Sequence, residues 1–433
     1  MKNLHLFDKE IDYKSAKDAL ELPWVSYVED INKVFYMYSY KPNTSVYYKI
    51  EDNTLYIRGT KQEGYSERVL YTDATAAKNG WYSASNKAQI TKAVIEEVIS
   101  PTSCVRFFNG MTGMTTIENI ENLKMDNATS MFVMFQGCSA LTSIDISNWN
   151  VSNVTNMRYM FANCNTLTSV DNLDNWNVGN VTDMSYMFSQ CNALTSVGNL
   201  SKWNVGNVTS MAGMFSECNV LTSIGDLDNW NVDNVTNMRV MFNGCYTLAS
   251  IGNISNWNVS KVTSMEGMFN SNDQSKPLIL TSIGDISGWD VSNVTNMNAM
   301  FRGCTSLDKL NLSSWNTSKV TTMSEAFSNY YNGNKYTDFS IPKINVPPIP
   351  KDCNVDHAFS FDYSLTTIES SGKISKSLNF QWSPLTHDSA MVLINALDSE
   401  NVGTLTLSTA TKETLTEEEI AIATGKGWTI AAA

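Results

Sequence analysis

Histidine is scarce in this sequence: His5, His357 and His387 are the only three in 433 residues, and none lies in the regular part of the chain. That removes the side chain most used as a metal ligand and general base from most of the molecule. No run of Lys or Arg interrupts a net charge of −13, so the electrostatic footprint of nucleic-acid binding or of docking to anionic membranes is missing. No stretch approaches the ~18 consecutive apolar residues of a membrane span. No C-x-x-C pair accompanies the eight cysteines, and there is no G-x-S-x-G and no phosphate-cradling glycine loop. Met1 to Ala19 has no apolar core and carries acids within its first ten residues, unlike a secretory signal. These absences lead us to expect a protein that is not an enzyme and has no cofactor, no metal, no nucleic-acid partner and no membrane insertion. Display outside a cell would then need another route, such as a virus particle released by lysis.

Repetition is what the chain has in abundance. From residue 131 to residue 327 it rewrites a block of about 27 residues, V-T-x-M-x-x-M-F-x-x-C-x-x-L-T-S-I-x-x-(x)-L-x-x-W-N-V. Phenylalanine recurs at Phe135, Phe161, Phe188, Phe215, Phe242, Phe269, Phe301 and Phe327. Tryptophan keeps the same beat at Trp149, Trp176, Trp203, Trp230, Trp257, Trp289 and Trp315. A period of this length means stacked units, none of which can bury its apolar face without neighbours. Such an array also explains how 433 residues share one core, since that core grows in a single dimension.

Within one unit, Ile144 and Ile146 alternate around Asp145, the period of a short strand. Val154, Met157, Met160, Phe161 and Cys164 are spaced by three and four, one face of a helix or of 3₁₀ turns. Most units carry an extra residue between the two strand hydrophobes: Gly198, Gly225, Gly252, Gly284 or Asp171. One inserted residue flips the second hydrophobe to the wrong face unless the strand bulges, and glycine accepts the positive φ of one bulge type. Six cysteines (Cys138, Cys164, Cys191, Cys218, Cys245, Cys304) share one slot, with Asn272 at the missing position. They read as small buried hydrophobes stacked on their copies, with disulfides between adjacent turns or a metal as the alternatives. Asn150, Asn177, Asn204, Asn231, Asn258 and Asn316 follow the tryptophans and are expected to cap loop backbone. The N-x-T triplets at Asn153, Asn180, Asn207 and Asn234 read as turn chemistry rather than glycosylation sites.

The expected fold is therefore an α/β solenoid, a leucine-rich-repeat-like right-handed stack of about ten strand-plus-short-helix turns of 26–27 residues. Phe108 and Phe359 mark its degenerate outer turns. Residues 1–100 read as a β-rich attachment or capping domain, 101–374 as the array, and 375–433 as α/β capping repeats. Insertions fall at 270–277 and 328–352. Two surfaces compete as ligand-binding sites. One is a polar strip on the strand face, Asp145, Asp171, Asn199, Asp226, Asn253 and Asp285, for which solvated bulge chemistry is the plainer reading. The other is the tyrosine-bearing insertion, with Tyr330, Tyr331 and Tyr336; a flap packed on the array would account for it equally.

The phrase N-W-N-V-S-N-V-T-N-M-x-x-M-F-x-x-C, as at Asn148 to Cys164, resembles the BspA-type leucine-rich-repeat surface proteins, more narrowly their methionine-phenylalanine subclass. The resemblance covers about residues 100–370, and Thr54 to Phe108 is similar to the opening of such arrays. The segment from Pro384 to Ile430 resembles the end of repeat proteins in gut bacteria and their phages. What the resemblance implies is adhesion without catalysis, through binding of a host-surface protein or glycan. Without a visible signal or anchor, the expectation moves to a phage virion component, a tail or head fibre, held to other virion proteins through residues 1–100. A bacterial cell-surface adhesin and a purely structural decoration protein are the alternatives, and self-association is open.

Overall fold

A computed structural model describes residues 4–6, 24–30, 33–38, 42–70, 81, 87–170, 173–273, 276–328, 341–360 and 362–433. Strands β1 (Leu4–Leu6), β2 (Trp24–Asp30) and β3 (Lys33–Tyr38) form a small antiparallel sheet in the order β1-β3-β2. A second sheet has the order β6-β4-β5-β7-β8, from β4 (Ser45–Glu51), β5 (Thr54–Arg58), β6 (Ser66–Val69), β7 (Lys92–Ile95) and β8 (Thr116–Glu118). Asp52 and Asn53, both at positive φ, close the β4–β5 hairpin with the handedness a two-residue turn needs. From β5 onward the pairing becomes parallel, β5 to β7 to β8, so this sheet runs unbroken across residue 100.

The repeats continue the parallel register with very little strand. Two-residue strands β9 (Ser143–Ile144) and β10 (Ser169–Val170) pair in parallel, as do β11 (Leu310–Asn311) and β12 (Ile344–Asn345). Elsewhere one-residue parallel bridges link each turn to the next, running Ser130, Asn156, Asp183, Ser210, Asn237, Ser264, Asn296, Thr322, Asn354.

Of the two readings of the M-x-x-M-F segment, helix or 3₁₀ turns, the structure has no helix there but isolated three-residue turns. The segment's N–H groups alternate in use. Met157, Tyr159, Phe161 and Asn163 donate forward to the carbonyls of Asp183, Ser185, Met187 and Ser189 in the next turn, at 2.8–3.0 Å. Met160 and Cys164 donate back three residues, to Met157 and Phe161. A helix would consume all these donors internally and leave nothing to bond the neighbouring turn. The alternation needs left-handed residues at two places per turn, Tyr159 (φ 57°) and Asn163 (φ 62°) here. A side chain in that region costs roughly 1–2 kcal/mol, and glycine takes the equivalent places at Gly137, Gly213, Gly244, Gly267 and Gly303.

Identical side chains then fall above one another. From Phe108 through Phe359 to Phe380, phenylalanine rings form one column with centroids 4.5–6.1 Å apart. Beside it, the thiols of Cys138, Cys164, Cys191, Cys218, Cys245 and Cys304 each donate to the phenylalanine carbonyl of the preceding turn, at 3.0–3.2 Å. All eight cysteines are free and buried. At the 270–277 insertion the thiol slot holds exposed Asn272, and in the next turn Cys304 still bonds the carbonyl of Phe269, as the other thiols do with theirs. The expected asparagine caps are present: Asn150, Asn177, Asn204, Asn231, Asn258 and Asn316 each accept an N–H two residues on. Gly198, Gly225, Gly252 and Gly284 have φ of 79–83° at the predicted bulges.

Because the N–H groups by which the M-x-x-M-F segment bonds its neighbour point forward, the carbonyls of this segment in the first turn have no preceding partner. Arg68, 1 % exposed, supplies the donors: its guanidinium bonds the carbonyls of Val105 (3.0 Å), Phe107 and Arg106 (both 3.3 Å). Trp81 adds its indole N–H to the Phe107 carbonyl, and the guanidinium lies 4.2 Å over the Trp81 ring. Burial lowers the guanidinium pKa to about 10, which still leaves it charged at neutral pH. Arg68→Met keeps the bulk but strands these carbonyls, and should cost about 3 kcal/mol in urea unfolding. At the other end, β13 (Leu378–Phe380), β14 (Gly403–Leu407) and β15 (Trp428–Ala432) are parallel and alternate with α1 (His387–Ala396), α2 (Thr409–Lys412) and α3 (Glu417–Gly425). Thr386 caps α1, and a Thr416–Glu419 capping box starts α3.

Candidate recognition surface

Three edges run along the stack, two of them exposed and the third largely half-buried, with Arg239 exposed on it. The first carries the predicted polar strip. Asp145, Asn199, Asp226, Asn253 and Asp285 are all exposed on it. Their oxygens are largely committed to their own corners, however. Asp145 Oδ1 accepts from the Ser147 N–H and hydroxyl, and Asn199, Asn253 and Asp285 accept from Ser201, Ser255 and Ser287 N–H. The Ser287 hydrogen bond holds the Asp285 carboxyl below its ordinary range. The strip is thus mainly corner chemistry. Asp171, Tyr330, Tyr331 and Tyr336 lie outside the described residues.

The second edge barely changes from turn to turn. Thr155, Thr182, Thr209, Thr236, Thr263, Thr295 and Thr321 are exposed, and each donates its hydroxyl to the threonine carbonyl one turn back. Asn180, Asn207 and Asn234 side chains likewise donate to the carbonyls of Ser152, Gly179 and Gly206, at 2.7 Å. These amides serve the stack.

The third edge is built from the outward residues of the M-x-x-M-F segment, and it varies. Met and Phe at the inward places are nearly constant, while the two outward places between the methionines read Phe132-Val133, Arg158-Tyr159, Ser185-Tyr186, Ala212-Gly213, Arg239-Val240 and Glu266-Gly267. The rings of Tyr159 and Tyr186 stack at 4.9 Å, with the Arg158 guanidinium 5.0 Å over Tyr159. Tyr186 lies down over Gly213, where any Cβ would come within 2.3 Å of the ring. Arg239 reaches the Tyr186 hydroxyl at 3.4 Å and Glu266 at 3.0 Å, and that ion pair holds its guanidinium still more firmly protonated. Nothing in the repeat's apolar pattern marks this edge; its trace in the sequence is tyrosine and arginine recurring at its outward places.

Tyrosine and arginine held rigid on a regular scaffold suit contact with another surface. Among the described residues, no group of three or more His, Cys, Asp or Glu side chains is placed to hold a metal ion. No described helix is long and apolar enough to cross a membrane.

The repeat family described as "Mycoplasma protein of unknown function, DUF285" matches residues 102–223, 168–281 and 280–343, overlapping segments that together cover more than half of the chain. The chain belongs to the DUF285 family. No curated protein and no solved structure matches it. The DUF285 segment contains the whole variable edge from Phe132 to Glu266, and it begins two residues before Cys104, in the turn that Arg68 caps.

Proposed function

We propose that this DUF285 protein is a non-enzymatic recognition protein of the BspA type, a right-handed leucine-rich-repeat-like solenoid displayed on a bacteriophage particle. Residues 1–100 attach it to other virion proteins, and the array faces a host-surface protein or glycan. The observation that supports this reading is an edge whose outward residues change from turn to turn and bring stacked tyrosines together with arginines, Tyr159 on Tyr186 with Arg158 and Arg239 beside them. Contact is placed at the stacked tyrosines and their arginines, residue types that dominate binding energy where they are buried by a partner.

The test uses particles carrying the triple variant Tyr159→Ala, Tyr186→Ala, Arg239→Ala. Because these side chains sit outside the phenylalanine and thiol columns, particles should assemble with normal content of the chain. Adsorption to host cells should fall at least about tenfold. Unchanged adsorption would remove the edge from recognition. Recovery of the protein in cell envelopes, with none in particles, would move it to the bacterial adhesins.

A further inference from the structure

Six of the seven repeat tryptophans donate their indole N–H to a main-chain carbonyl of the preceding turn: Trp176 to Ile146, Trp203 to Leu173, Trp230 to Leu200, Trp257 to Leu227, Trp289 to Ile254 and Trp315 to Ile286, at 2.9–3.2 Å. The seventh does not. Trp149 is 7 % exposed, and its Nε1 is buried with no hydrogen-bond partner. Leaving such a donor unpaired is costly, so an acceptor supplied by a ligand would be favoured there.

The local backbone explains the gap. By register, the missing acceptor is the Ile120 carbonyl, in the corner that Leu123 closes by donating its N–H to Ile120, as each tryptophan does in its own turn. Leu123 stands in the tryptophan slot, so this corner carries no indole. The corner is also wound differently. Asn119 is left-handed (φ 56°) and makes no side-chain cap, whereas its equivalent Asn199 is extended (φ −102°) and caps its corner. Between this corner and the next turn lies a groove of about 400 Å³, within the size range of small-molecule sites. Ile120 and the edge of the Trp149 ring give it apolar surface over buried Met125 and Ile146, and Glu121, Asp145 and Asn148 give it polar rims.

We infer that this groove is a binding site for an N-acetylated amino sugar, whose acetamido carbonyl takes the place of the absent peptide carbonyl on Trp149. The chemistry narrows the ligand by elimination. Glu121, Asp126 and Asp145 surround a single lysine, Lys124, and disfavour an anion, while no metal-holding cluster forms there among the described residues. A neutral ligand remains that offers one amide carbonyl, hydroxyls for the carboxylates to accept from, and a C–H face for the apolar surface. Asp145 spends Oδ1 on Ser147, and its other oxygen has no partner among the described residues. The Trp149 nitrogen has almost no exposed area, so the sugar reaches it only as side chains lining the groove move aside. This site is on the corner edge, separate from the variable edge, and does not depend on the recognition role proposed for that edge.

The experiment titrates the intact, ¹⁵N-labelled protein with N,N′-diacetylchitobiose, with cellobiose, and with N-acetylglycinamide as a peptide amide. The first should shift the Trp149 indole resonance and leave those of Trp203 and Trp230 in place, with Kd on the order of 1 mM or tighter. Cellobiose, lacking the amide, should bind about tenfold more weakly or not at all. Trp149→Phe should abolish the disaccharide-induced shifts of the backbone amides around the groove, and should lower the unfolding midpoint less than Trp203→Phe, because both lose indole packing but only the second loses a hydrogen bond; Trp203→Phe should leave binding intact. Leu123→Trp, which restores an indole to this corner, should also abolish binding. No shift with the disaccharide, wild-type binding by Trp149→Phe, or equal binding of cellobiose would overturn the inference. Tighter binding of the peptide amide than of the sugar would overturn the assignment to a saccharide.

Discussion

Above pH 9 the protein should lose stability steeply, by several kcal/mol before about pH 10.5. The cause is the thiol column. Burial pushes Cys164 and Cys245 up to about 12, against an ordinary value of 9.0, and outside the column raises Cys353 to about 11. It raises Cys138, Cys191 and Cys218 well above that value, with neighbouring thiols adding to the effect. These groups keep their protons in the fold and release them near pH 9 when the chain unfolds. The stability they contribute is therefore complete below that pH and is lost progressively as pH climbs toward their folded-state values. Each thiol contributes a slope of about 1 kcal/mol per pH unit in that window. Lysines and tyrosines also titrate there, so the comparison is with a variant in which Cys164, Cys191, Cys218 and Cys245 are alanine. That protein should be less stable at pH 7 and yet lose distinctly less between pH 8.5 and pH 10.5. Equal slopes for the two would mean that the thiols are not held protonated by burial.

Phe188→Ala should cost about 3–5 kcal/mol, and the damage should be local. Phe188 is fully buried between Phe161 at 5.6 Å and Phe215 at 5.7 Å, so truncation opens a void that only those two rings border along the column. In a one-dimensional array each turn leans on its two neighbours. Native-state hydrogen exchange should then lose protection around Phe161 and Phe215 and keep it in α1, which is many turns away. Thr182→Ala, on the exposed threonine edge, removes one hydroxyl bond to the Thr155 carbonyl and should cost under about 1 kcal/mol. A uniform loss of protection along the whole chain for Phe188→Ala would show a single cooperative core instead.

Much of this architecture is legible in the sequence because the repeat prints it many times over. The tryptophan, phenylalanine and cysteine slots each name one column, and the glycines at 198, 225, 252 and 284 name the bulges that register demands. The backbone of the methionine–phenylalanine segment is not legible in the same way. Met157, Met160, Phe161 and Cys164 have helical spacing because any chain of three-residue turns also brings every third or fourth side chain inward. What distinguishes the two is handedness at alternate residues, and the only written trace is glycine at places such as Gly213 and Gly267. The candidate surfaces divide similarly. Asp145 and Asp285 are exposed as their positions suggest, but sequence does not reveal that serine N–H groups claim their oxygens. The unpaired Trp149 donor depends on a carbonyl in another turn, and only the leucine at position 123 hints at it.

Parallel stacking of consecutive turns is the claim on which all else rests, and engineered cysteine pairs on the threonine edge test it most directly. Thr182 donates its N–H to Thr155 at 2.8 Å, one turn away, and Thr209 does the same to Thr182. Adjacent turns therefore lie within the ~4.4–6.8 Å that a disulfide spans, and turns two apart do not. Under mild oxidation the Thr155→Cys/Thr182→Cys protein should crosslink within one chain, and the Thr155→Cys/Thr209→Cys protein should stay reduced. Crosslinking of the second pair with none in the first would contradict the stacked architecture.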